Sequence, residues 1–427
     1  MPPGLRPRRW NASRIHYAWF TLAITFFVML VTAGARAAPG VLLVPLQHAF
    51  GWSLATISGA LSLNLALFGL MGPFAAAAMQ RFGIRRSVLA ALGLLGLAVA
   101  LSSLMRTSWQ LWMLWGVAVG ACTGVTAMTL GAVVVNRWFA ERRGFAMGLL
   151  TASTATGQLV FLPALAALAE HFGWRAVVLT VAGAAALVVP LVLLFLPEHP
   201  EDLGLRRLGE AAEAAPVAAQ RGNPIKVAFD ALRQAVPVRD FWLLFGSFFI
   251  CGATTNGYIG THFIAMCGDQ GLNAVQGAGI LATMGVFDLF GTSLSGWLCD
   301  RYDSRVLLFF YYGLRGLALI YLPSAFGLGY FGLPVFAMFY GLDWVATVPP
   351  TVRLCNDAFG AQRAPIVFGW IVAGHQLGAA FAALMGGVLR SALGSYTLAT
   401  TLAGVLGLVA AVLVLRIGRR DAALEPA

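Results

Sequence analysis

Twelve stretches of about 20 apolar residues follow one another along this chain, more than any water-soluble core can absorb. They run 17–46, 53–79, 87–105, 109–136, 144–169, 174–196, 241–267, 277–299, 305–325, 330–356, 364–389 and 394–416. Of the 427 residues, 59% are hydrophobic and only 11% charged, where a soluble globular chain has roughly 25%. Hydrocarbon offers the backbone no hydrogen bonds, so spans of this length must be helices. The expected fold is an all-α membrane protein with twelve transmembrane helices in two six-helix halves. The one long hydrophilic segment, Pro197 to Asp240, divides them. The expected organisation is a cytoplasmic N-tail (1–16), an N-terminal bundle (17–196), a cytoplasmic linker (197–240), a C-terminal bundle (241–416) and a cytoplasmic C-tail (417–427).

A net charge of +11 would suggest a nucleic-acid partner in a soluble protein. Here the arginines explain it. With the N-terminus inside, 22 of the 28 basic residues fall on inner segments, 3 on outer ones and 3 within spans. That asymmetry puts both termini in the cytoplasm. No nucleic-acid partner is needed, and no obligatory protein partner is evident. The bilayer itself is the implied surrounding, and a bacterial inner membrane the expected location.

Arg6, Arg8, Arg9 and Arg14 lead into a span too long for a signal-peptide core, so none is expected. The five cysteines are scattered among apolar spans and read as packing residues. No two histidines are three to five apart, so neither a metal nor another cofactor is expected.

Ionisable residues within the spans are few: Arg36, His262, Asp288, Arg315, Asp343, Arg353 and His375. Even a lenient insertion scale sets a buried arginine at about 2.5–3.5 kcal/mol, so such groups mark function or a pairing. Arg36 shares a helix face with Thr25, Met29 and Thr32 and is flanked by Gly34, Pro39 and Gly40. A planar guanidinium grips both oxygens of a carboxylate, which makes Arg36 the candidate substrate anchor. The competing reading is a structural pair with an acid on another helix.

Asp288, halfway along span eight, reads as a proton site or as the partner of Arg315. Asp343 lies on a stripe with Tyr340, Thr347 and Thr351. It reads as cavity lining and proton coupling, or equally as the partner of Arg315. His375 is titratable near neutral pH and a candidate for both substrate and proton. Tyr258 shares a face with His262. Asn64 and Gln158 are further polar candidates for the substrate, with helix–helix hydrogen bonding as the competing reading. Arg353 sits near the inner end of span ten, where a gate or interface role is expected.

The two halves carry a weak repeat. QRFGIRR (Gln80 to Arg86) follows span two, and DRYDSR (Asp300 to Arg305) follows span eight. At these residues the chain resembles the major facilitator superfamily, whose members carry a G-x-x-x-D-R-x-G-R-R type turn. GWLCDRYDSR from Gly296 keeps Gly, Asp and both arginines, whereas the first-half copy has Ala76 and Gln80. In that superfamily the acid helps lock the cytoplasmic side. The resemblance thus implies gating roles for Asp300, Arg301, Arg305 and Arg81.

NRWFAERRGFAMGLLTASTATGQ (136–158), FGWRAVVL (172–179) and Arg36 are similar to the monocarboxylate transporter-like family. That family often has Asp-x-x-x-Arg in span eight, but here Thr292 follows Asp288 at that spacing. The related oxalate–formate exchangers use cations in spans eight and eleven, at places held here by Thr292 and His375. The resemblance implies carriage of a small organic anion by alternating access, most simply proton-coupled monocarboxylate symport.

The alternatives are a proton-independent exchanger and a drug exporter, although 144–169 lacks the exporter run G-x-x-x-G-P-x-x-G-G. A membrane enzyme lacks any nucleophile–base motif, and a receptor lacks a large soluble output domain. The sidedness is testable. A reporter active only in the cytoplasm should report when fused before Met1 or after Ala427, and stay silent when fused after Arg106.

Overall fold

Chain composition passes directly into helix. Span one is one helix, Ala18–Phe50, with Pro39 and Pro45 inside it and Gly51 closing it at φ 67°. The structure is a computed structural model describing residues 16–210, 224–299 and 301–418. At 73, 77, 143–144, 151–152, 154–156, 158–160, 224, 330 and 361–362 it describes the backbone alone. Asp300 lies outside the described residues, as does the side chain of Gln158.

Among the described residues, nine helices are long and apolar enough to cross a membrane. A tenth, Arg239–Asp269, passes the same test together with the linker helix Ile225–Ala235, which meets it at 108°. The other two expected spans are helical as well. Span five is the single helix Arg143–Phe172. Span ten is broken, with Leu333–Leu342 followed by a turn over 343–347 and helix again from Val348. Gly360, at φ 74°, then turns the chain sharply into span eleven. Twelve spans in two halves are consistent with this architecture. The outward side chains are apolar, among them Leu97, Leu187, Phe290 and Leu317, as lipid contact requires.

Both ends of the described chain lie at the linker end of the bundle. The Tyr17 hydroxyl donates to the Phe195 carbonyl (3.0 Å), and the Gly418 amide donates to Asp240 Oδ1 (3.0 Å). The halves meet through several helix pairs. At the far end, Ala55 N–H donates to Ser391 Oγ and Val275 N–H to Glu170 Oε1. Midway along, Gly69 of span two lies against the Gln376 side chain of span eleven. At the linker end, the helix Pro224–Ala235 packs beside span eleven, where Trp370 Nε1 donates to the Ala228 carbonyl (2.9 Å).

Among the described residues, two spans contain a π-helical segment, Trp112–Val119 in span four and Ala253–Ile259 in span seven. A π turn shifts the hydrogen-bond ladder and leaves a carbonyl to be met from elsewhere. Asn64 Nδ2 donates to the Trp115 carbonyl (2.6 Å), and the Tyr340 hydroxyl donates to the Thr254 carbonyl (2.5 Å).

Close approach of spans eight and ten needs a glycine. A β-carbon on Gly291 would overlap the Leu342 carbonyl, whereas one on Gly279 meets nothing. Gly291→Ala should therefore destabilise the detergent-purified protein by about 1–3 kcal/mol, the usual range for overpacking. Gly279→Ala should leave its thermal midpoint unchanged.

Candidate functional site

The break in span ten frees backbone groups in the membrane interior, and side chains of spans eight and nine meet them. Arg315 of span nine is fully buried. Its Nε donates to Asp343 Oδ2 (2.7 Å), and its Nη2 to the carbonyls of Asp343 (2.5 Å) and Trp344 (3.3 Å). Its Nη1 donates to Cys251 Sγ of span seven (2.8 Å). From span eight, Ser295 Oγ donates to the Ala346 carbonyl (2.6 Å), and Asp288 Oδ1 accepts the Val345 N–H (2.9 Å). Spans eight and nine thus hold a non-helical turn that lipid alone would not tolerate.

This arrangement decides which acid pairs with Arg315: it is Asp343, as an ion pair closed from solvent. Asp288 is left without a cation partner among the described residues. Its Oδ1 also accepts from Thr292 (2.8 Å), and its Oδ2 makes no hydrogen bond among the described residues.

Arg36 sits on span one, partly exposed. Its guanidinium carbon stands 5.0 Å from the centre of the Phe68 ring on span two. It makes no ion pair among the described residues. An aromatic face offsets cationic charge without using the N–H donors, so the fork stays available to a carboxylate. Span one is closely packed near it, since a β-carbon on Gly34 would overlap the Phe161 ring of span five.

On span eleven, the His375 ring lies 4.8 Å from that of Phe248, and its Nδ1 is buried without a hydrogen bond. Tyr258 is turned toward span twelve, bonded to Thr400 Oγ1 (2.6 Å) and donating to the Tyr396 carbonyl (3.1 Å). His262 is fully buried against the Ala383 carbonyl (2.8 Å). Asn64 and Tyr340 each donate to a carbonyl of a π segment.

The arginines singled out for gating lie near the linker end. Arg301 covers the Trp297 ring at 3.9 Å, and Arg81 covers Phe82 at 5.4 Å. Arg305 pairs with Asp303 (2.6 Å), the residue that caps span nine. Its hydrogen bond holds the Asp303 carboxyl below its usual range. Arg353 donates to the Cys299 carbonyl. Arg301, Arg305 and Arg353 line a cavity of about 440 Å³ with Asp303 and Asp357.

The first half reaches a similar end by another route. Glu198 accepts the N–H groups of Ile84 (2.7 Å) and Arg85 (2.8 Å) and pairs with Arg137 at 3.3 Å. It caps span three in the half whose turn carries Gln80 instead of an acid. Sequence reading passed over Glu198, although an acid between Pro197 and Pro200 just after a span was a usable signal.

A family model described as Major Facilitator Superfamily matches residues 25–361. The chain belongs to the major facilitator superfamily. This is a superfamily of transporters, and the chain is an integral membrane protein of that kind. Among curated relatives, it is 26% identical to the Bacillus subtilis (strain 168) "Uncharacterized MFS-type transporter YcxA", over 87% of this chain and 88% of the relative. It is also 26% identical to "Monocarboxylate transporter 13" of Bos taurus, over 91% and 86%. Its fold is similar to the solved structure of a bacterial homolog to the human lysosomal transporter Spinster. There the TM-score is 0.73 at 15% identity, covering 96% of this chain and 100% of that one.

Within this superfamily member, the Arg315–Asp343 pair makes a two-step prediction. Arg315→Met leaves Asp343 buried and uncompensated and should cost about 3–5 kcal/mol of stability. The double variant Arg315→Met/Asp343→Leu should regain most of that loss in thermal unfolding of the detergent-purified protein.

Proposed function

We propose that this transporter carries a small monocarboxylate together with a proton, by alternating access of its two halves. One observation carries the reading. With Arg315 and Asp343 paired, the charges left without an ion partner among the described residues within the spans include Arg36 on the N-terminal half and Asp288 on the C-terminal half. Arg36 binds the substrate carboxylate through its open fork. Asp288, with one oxygen unengaged, takes the proton. A monoanion and one proton together move no net charge, so membrane potential does not drive the cycle. The named monocarboxylate transporters among the relatives support the substrate class. His375 and Gln158 belong to the same reading as further substrate contacts, and the arginines of the linker-end turns as the gate. Sidedness follows the arginine asymmetry, with both termini in the cytoplasm of a bacterial cell.

The test is uptake of labelled mono- and dicarboxylates into proteoliposomes, with and without an inward proton gradient. Wild-type uptake of a monocarboxylate should rise with the gradient. Arg36→Ala should reduce it by roughly 10–100-fold, the value of one charge-assisted contact. Asp288→Asn should lose the stimulation while still exchanging labelled for unlabelled substrate. Saturable uptake that ignores the gradient but needs carboxylate on the far side means exchange. An active preparation that takes up no carboxylate sinks the anion reading.

A further inference from the structure

Gln376, on span eleven, is one of the buried polar side chains with an unmet atom. It is 5% exposed, and its Oε1 is sealed from solvent without a hydrogen bond. Its amide nitrogen has no hydrogen-bond partner among the described residues either. An unmet buried amide oxygen is costly, and a leucine or methionine would fill the space without that penalty. The chain nevertheless makes room for this side chain. Its stem lies under Gly69 of span two, where a β-carbon would overlap it. Gly69 directly follows Phe68, whose ring faces the Arg36 guanidinium. The Gln376 stem therefore meets span two one residue beyond the one whose ring faces the proposed carboxylate anchor. His375, the preceding residue, also has a buried and unbonded ring nitrogen.

We infer that Gln376 is a specificity-determining residue that reads a hydroxyl group next to the substrate carboxylate. This rests on the proposed reading of Arg36 as the anchor. An amide presents a donor and an acceptor side by side. A hydroxyl meets both, whereas a keto oxygen meets only the donor and a methylene meets neither. A site built to hydrogen-bond a hydroxyl rejects the analogue lacking it, because its buried polar groups are then left unpaired. The carried class is then a small 2-hydroxycarboxylate in preference to its 2-oxo and unsubstituted counterparts.

The experiment compares initial uptake of propanoate, 2-hydroxypropanoate and 2-oxopropanoate in proteoliposomes for wild type, Gln376→Leu and Gln376→Asn. Wild type should prefer the hydroxy acid over propanoate by about tenfold or more in kcat/KM. Gln376→Leu should bring that ratio to about one through loss of hydroxy-acid uptake, and an unchanged thermal midpoint of the purified variant shows that it is folded. Gln376→Asn keeps an amide one methylene shorter and should fall between. If all three acids lose uptake in proportion, Gln376 is a packing residue and the inference falls. It falls equally if the wild-type ratio is near one, or if the ratio survives in Gln376→Leu. Failure of the underlying reading looks different: Arg36→Ala would then transport all three acids like wild type, whatever Gln376→Leu does.

Discussion

The bond network of one buried guanidinium organises the C-terminal half. Arg315 neutralises Asp343 and at the same time takes the two carbonyls at the start of the span-ten break. Neither task is affordable alone, since a buried unpaired arginine and an unmet backbone turn are each costly in hydrocarbon. Together they offset one another, and the turn they fix presents the Val345 N–H to Asp288. Span eight reaches that turn because Gly291 lets its backbone approach Leu342. The geometry of Asp288 is thus set from spans nine and ten, through groups that need never touch a solute.

The polar residues of the membrane interior divide into two sets. One set completes the frame: Asn64 and Tyr340 serve the π segments, Ser295 and Arg315 serve the broken helix, and Tyr258 bonds span twelve. These groups are engaged, and moving them would expose an unmet carbonyl. The other set has hydrogen-bonding capacity left over among the described residues, and it includes the Arg36 fork, Asp288 Oδ2, His375 Nδ1 and Gln376 Oε1. In a medium that offers no water, the second set is where a solute can gain binding energy that the fold has not already used.

Much of this frame was legible in the sequence. The spans follow from apolar run length, and the second-half turn from Asp300 to Arg305 stood out by its charges. The division of the polar residues did not show. Tyr340, Asp343, Thr347 and Thr351 have spacings of three, four and four, which read as one face of an unbroken helix. In the structure 343–347 is a turn, and the stripe is interrupted where Arg315 enters. Periodicity carries no sign of a break whose hydrogen bonds come from other spans. The π segments are invisible for the same reason, because their register is fixed by side chains far away in sequence. Asp288 and Asp343 lie at similar depth as seen from Arg315, so only geometry could assign the pair.

Arg36 and Asp288, of opposite sign and without an ion pair among the described residues, lie on opposite halves, and this gives the proposed coupling a simple physical basis. An unpaired arginine and an unpaired acid in hydrocarbon each raise the energy of a cavity closed around them. A bound carboxylate removes the first penalty and a bound proton the second. With only one aboard, closure would bury an uncompensated charge. On the proposed reading, the loaded and the empty carrier close readily and the half-loaded one does not. The empty carrier needs Arg36 and Asp288 to offset each other across the seam. Coupling then arises from charge balance in a low-dielectric cavity, without a direct bond between substrate and proton.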